Sequence, residues 1–114
     1  MFWLDRPGIV SDLRKAVDEL VERCPEIERV VLFGSMARGD AVPGSDADLL
    51  VVLGQSDLPF IERGARYYLS GLGVGVDVLA YTQDELSRML DERNPFVTHA
   101  LKEGIALYDH AYNP

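Results

Sequence analysis

Apolar residues recur at helical spacing at Val10, Leu13, Val17, Leu20, Val21 and Cys24, and Pro25 closes that segment. One apolar stripe on an otherwise polar helix predicts a cover for a sheet. Two nearly continuous apolar runs follow, Ile27 to Phe33 and Leu49 to Leu53, broken only near their acidic or glycine ends. Such runs are expected of strands covered on both faces. Asp57 is placed to cap a third helical segment with Pro59 in its first turn, and Ile61, Ala65, Tyr68, Leu69 and Leu72 form its expected buried stripe. Gly71, Gly73 and Gly75 break it. Val74, Val76 and Val78 then alternate with Gly75 and Asp77, which predicts a strand from Val74 to Ala80 with Asp77 facing away from the valines.

The last third of the chain is helical until its end. Thr82-Gln83-Asp84-Glu85 is a capping box ahead of Leu86, Met89 and Leu90. Asn94-Pro95 restarts a helix that turns Phe96, Val97, Ala100 and Leu101 inward, Gly104 stops it, and Ile105 to Tyr108 is left for a short edge strand. At the other end, Phe2, Trp3 and Leu4 make an apolar tip. It docks on the domain's own core or forms an anchor for a partner.

Composition narrows the function classes. The 114 residues, 47% hydrophobic, suit one domain spanning 1–114, without a visible linker or repeat. With 19 acidic against 11 basic residues the net charge is −8, which disfavours tight binding to nucleic acid or to an acidic membrane. No run approaches the roughly 20 apolar residues that span a bilayer, and no signal-like segment opens the chain, so the expected location is the cytoplasm. A single cysteine, Cys24, excludes an internal disulfide. Neither His99 nor His110 has the companions a zinc site needs.

The chemistry concentrates between Val30 and Leu53, VVLFGSMARGDAVPGSDADLLVVL. Val30 to Phe33 runs as a strand into Gly34-Ser35, where the backbone turns into Met36-Ala37-Arg38. Free N–H groups and the Ser35 hydroxyl at such a turn suit an anion. Asp46 and Asp48 open the next strand, two residues apart, and therefore project to the same face. Paired carboxylates repel unless a cation lies between them, and hard oxygen ligands suit Mg²⁺. An isolated Asp-x-Asp also occurs in sugar-nucleotide glycosyltransferases and in solvated turns. Asp77 joins the pair only if the second and third strands are neighbours. Arg38 either touches a phosphate or lies on the surface, and Asp40 reads as a surface turn residue.

Gly34-Ser35 followed by Asp46-x-Asp48, the third acid at Asp77, and the ending from Asn94-Pro95-Phe96 to Leu107-Tyr108-Asp109 together resemble the DNA polymerase β-like nucleotidyltransferases. Within that superfamily the chain resembles the minimal nucleotidyltransferase (MNT) proteins. The resemblance implies an α/β nucleotidyltransferase fold, a small mixed β-sheet covered by helices. It implies that Gly34 and Ser35, with Arg38, bind the phosphates of ATP. Asp46, Asp48 and Asp77 are implied as catalytic and as ligands of Mg²⁺, in a two-metal site. Asp77 is also implied to deprotonate an acceptor hydroxyl that attacks the α-phosphorus and expels pyrophosphate.

Proteins of this size carry no acceptor-binding domain, and MNT proteins resemble antitoxins whose partner is a helical HEPN ribonuclease toxin. The resemblance therefore implies transfer of AMP to a tyrosine hydroxyl of that partner. Two other readings stay open: an antitoxin that acts by occlusion alone, and a small-molecule nucleotidyltransferase of the antibiotic-modifying type working as a homo-oligomer. Phe2, Trp3 and Leu4, with Tyr67 and Tyr68, are the expected docking patch.

Overall fold

A computed structural model describes residues 4–111. Helix α1 spans Arg6–Arg23. The Asp5 carboxylate accepts a hydrogen bond from the Gly8 amide at 3.1 Å, and Pro7 occupies the first turn. Leu13, Val17 and Leu20 are its buried stripe. Strand β1, Ile27–Phe33, lies at the middle of the sheet, and the four-residue α2, Ser35–Arg38, follows it. Strand β2, Ala47–Leu53, precedes α3, Phe60–Arg66, and β3, Val76–Thr82. The chain continues as α4, Gln83–Asp91, α5, Pro95–Glu103, and β4, Ile105–Asp109.

The strands form one mixed sheet in the order β3-β2-β1-β4. β1 is antiparallel to both β2 and β4, whereas β2 and β3 run parallel, joined through α3. Alternation splits the strand residues between two apolar layers. Val30, Leu32, Leu49, Val51 and Val76 pack with Leu13, Val17 and Leu20 of α1. Val31, Phe33 and Leu50 pack with Ala100 of α5, and Val52 packs with Leu86 of α4 and Val97 of α5. The sheet is thus covered on both faces, which is why its inner strands read as continuous apolar runs.

The capping box at α4 is complete. Thr82 Oγ1 accepts from the Glu85 amide at 3.1 Å, and Glu85 Oε1 accepts from the Thr82 amide at 2.8 Å. Asn94 Oδ1 caps α5 through the amides of Phe96 and Val97. Gly104 ends α5 at φ −71°, so no left-handed cap calls for glycine there. The requirement is space: a Cβ would overlap Val31 Cγ1.

The third helix departs from expectation. It is only seven residues long, Pro59 rather than Asp57 stands at its cap, and Ile61 is 88% exposed. Ala65 and Tyr68 are exposed as well, while Arg63 is buried. A guanidinium turns inward because its donors are met: Arg63 donates to the Leu58 and Ala80 carbonyls and pairs with Glu85 at 2.5 Å. Tyr67 and Leu69 lie beyond the helix end and are buried in the α1 layer. Tyr67 donates its hydroxyl proton to Glu26 at 2.7 Å, which removes it from the expected docking patch. β3 starts at Val76, two residues later than expected. Phe2 and Trp3 lie outside the described residues, and Leu4 is half-buried against the α1 layer. Among the described residues no helix is long and apolar enough to cross a membrane.

Candidate functional site

Sheet register assembles the site. Phe33, the last residue of β1, pairs with Asp48 of β2, and Asp48 pairs with Asp77 of β3. One row across three strands therefore carries the entry to the Gly34 turn and two of the three acids. Asp48 shares the sheet face of Leu50, and Asp77 that of Leu79, both in the α5 layer, while Val76 and Val78 take the α1 side. Asp77 thus faces away from the valines, as expected.

Gly34 turns at φ 74°, a conformation that disfavours side chains, and a Cβ there would overlap Asp48 Oδ2. The phosphate-type turn and the acid strand are therefore in contact. Gly75 plays a similar part on the other side: its carbonyl accepts from the Ala47 amide at 2.9 Å, and a Cβ on it would overlap Asp46 Oδ1. The sequence pattern marked Gly75 as a helix breaker and as a position of the third strand, not as a neighbour of Asp46. The signal available was its place two residues before Asp77.

Asp48 is half-buried, whereas Asp46 and Asp77 are exposed. Burial pushes the Asp48 carboxyl above its ordinary value, and the charges of Asp77 and Asp46 push the same way, with Arg38 opposing. All three acids thus act on one locus. Even so, among the described residues no three His, Cys, Asp or Glu side chains are drawn together closely enough to hold an ion. The donor set, three carboxylates at one sheet end, nevertheless fits a hard divalent cation such as Mg²⁺, which completes its shell with water and phosphate oxygens.

The Gly34 turn holds an anion of the protein's own. Glu103, the last residue of α5, accepts from the Gly34 amide through Oε1 at 3.1 Å. Arg38 donates to both Glu103 oxygens at 3.3 Å, and His99 Nε2 lies 3.1 Å from Oε2. Burial pushes the Glu103 carboxyl up, but the Gly34 amide, the Arg38 guanidinium and the charge of His99 outweigh it and hold the group below its ordinary value. Arg38 also pairs with Asp40 at 3.3 Å and remains half-exposed. The base of α2 is secured from behind, because Arg6 donates to the carbonyls of Met36 at 2.7 Å and Ala37 at 2.9 Å. Nothing in the one-dimensional pattern marked Glu103, which lies 69 residues from Gly34.

Comparisons with known proteins bear on the family and the fold. The sequence profile of the family described as "Nucleotidyltransferase domain" matches residues 10–107. A Methanocaldococcus jannaschii protein provisionally named a protein adenylyltransferase is 29% identical over 99 residues, covering 82% of this chain and 96% of that protein. A solved structure of a provisionally assigned nucleotidyltransferase from Sulfolobus solfataricus superposes with a TM-score of 0.57 at 28% identity, covering 73% of this chain and 75% of that one. A structure described as a toxin–antitoxin with AMP-PNP shares the fold, with a TM-score of 0.57 at 20% identity, covering 84% and 73% of the two chains.

Proposed function

The chain belongs to the nucleotidyltransferase-domain family, and on that premise we propose that it transfers AMP from ATP to a hydroxyl of a partner protein, a tyrosine of a HEPN-type toxin, and so acts as an antitoxin. The observation that carries the reading is the row Phe33-Asp48-Asp77, which sets a glycine turn and two carboxylates side by side at one end of the sheet. The name of the M. jannaschii relative supports a protein acceptor, and the fold shared with a toxin–antitoxin complex supports the partner class.

In this reading the Gly34 amide and the Ser35 hydroxyl hold the β- and γ-phosphates. Asp46, Asp48 and Asp77 hold Mg²⁺, which when bound neutralises triphosphate charge and stabilises the leaving pyrophosphate. Asp77, exposed on β3, takes the proton of the acceptor hydroxyl as its oxygen attacks the α-phosphorus. Arg38, half-exposed beside the turn, contributes positive charge to the leaving phosphates. In this reading the partner presents the acceptor hydroxyl over this exposed corner of the sheet.

The test combines the protein, ATP labelled at the α-phosphate and the product of the adjacent gene. An adduct of one or more AMP units on a partner tyrosine, read by intact mass and peptide mapping, is the expected result. Neutralisation of the partner with no adduct under conditions where ATP binds would replace transfer by occlusion.

A further inference from the structure

Glu103 is fixed in place by its backbone. Gly104, the next residue, packs so closely on β1 that a Cβ would overlap Val31 Cγ1, and Ile105 then pairs with Leu32. The end of α5 therefore cannot retreat from β1 without opening the sheet edge. Gly34 is equally fixed, held by its positive φ and by Asp48 at its back. Between these two anchors the Glu103 carboxylate lies on the Gly34 amide, with its side chain only 13% exposed. It also engages Arg38 and His99, the nearby groups able to offset negative charge.

We infer that Glu103 is a built-in occupant of the phosphate seat: its carboxylate takes the Gly34 amide and the Arg38 guanidinium in the free protein and must rotate away when a triphosphate arrives. The inference rests on the nucleotide reading above and adds its regulation. With the main chain fixed at both ends, only rotation of the Glu103 side chain can clear the amide. That rotation also releases Arg38 from Glu103, leaving Asp40 as its remaining carboxylate partner, so one movement both empties the seat and turns a cation toward it. The free protein thereby keeps a weakened hold on ATP. A partner that draws Glu103 aside, through His99 and Lys102 on the exposed side of α5, would tighten that hold.

The scale follows from populations. If the seat is open in about one molecule in ten, apparent affinity is reduced about tenfold, and removing the occupant restores it. Calorimetric titration of the intact chain with ATP and Mg²⁺ should show Glu103→Ala binding about tenfold tighter than the parent. Glu103→Gln, which keeps an acceptor oxygen but no charge, should fall between them. Asp40→Asn removes the other carboxylate on Arg38 without touching Gly34, and should change affinity less than about twofold. In an amide NMR spectrum the Gly34 signal should move in both Glu103 variants before any ATP is added.

A parent that binds ATP while both Glu103 variants bind no tighter would overturn the inference and leave the nucleotide reading standing. Equal tightening in Asp40→Asn would also overturn it, because a general change in charge would then suffice. Failure of the parent and all three variants to bind ATP would overturn the nucleotide reading and the inference together. Should Glu103→Ala melt early, Glu103→Gln and the Gly34 signal decide the matter.

Discussion

Asp48 and Asp77 stand opposite one another in the parallel β2–β3 pair, although 29 residues separate them in sequence (77 − 48). Burial first, and then the charges of Asp77 and Asp46, push the Asp48 carboxyl above its ordinary value. A raised carboxyl beside like charges is a cost to the folded state, and in the proposed function a bound cation would relieve it.

Asp48→Asn and Asp77→Asn should each lower AMP transfer by at least about 10²-fold, the scale for losing an acid–base or charge-organising group. Neither should melt earlier than the parent. Because the folded-state value of Asp48 is raised, stability should fall as pH rises through that value, and Asp48→Asn should flatten this slope. Thermal melts across the acidic range, beside label transfer, check both halves.

Gly34→Ala should destabilise the chain by about 1–3 kcal/mol, because the positive φ and the overlap with Asp48 Oδ2 act together. Chemical denaturation measures the loss. A variant as stable as the parent would mean that the turn relaxes away from Asp48.

Glu85→Gln should cost about 1–3 kcal/mol, since it takes the counter-charge from the buried Arg63. The Arg63 hydrogen bond, opposed by burial and aided by the Thr82 amide, holds the Glu85 carboxyl below its ordinary value. That contribution is present above the ordinary glutamate range and is lost as pH falls through the depressed value. Denaturant midpoints compared at neutral and acidic pH should converge for parent and variant.

Tyr67→Phe should cost about 1 kcal/mol by deleting the hydrogen bond to Glu26. Burial first, then the Glu26 carboxylate, pushes the Tyr67 hydroxyl up to about 12. The stability tied to its neutral form is therefore complete below the ordinary tyrosine value and lost as pH rises toward about 12, a slope the Phe variant should lack. Tyr68→Ala, at a side chain 52% exposed, should leave the melting temperature within about a degree or two of the parent.

Local pattern determined a large part of this molecule. Apolar runs located β1 and β2, helical spacing located α1, and the Thr82–Glu85 and Asn94–Pro95 signals located the starts of α4 and α5. These are effects of near neighbours, complete within a few residues. The glycine turn was legible for the same reason, whereas Asp46, expected to share a strand face with Asp48, lies one residue ahead of β2, where strand alternation does not fix its direction.

Tertiary structure decided the rest. Whether Asp77 met Asp48 depended on β3 lying beside β2 in register, a matter of sheet order that alternation cannot report. The inward face of α3 was misjudged because Arg63 is polar by type yet buried by its partners, Leu58, Ala80 and Glu85, two of which come from other elements. Glu103 was invisible among surface acids until the packing of Gly104 on Val31 carried it to Gly34. A charge takes its role from what lies within a few ångströms of it, and that neighbourhood exists only once the chain has closed on itself.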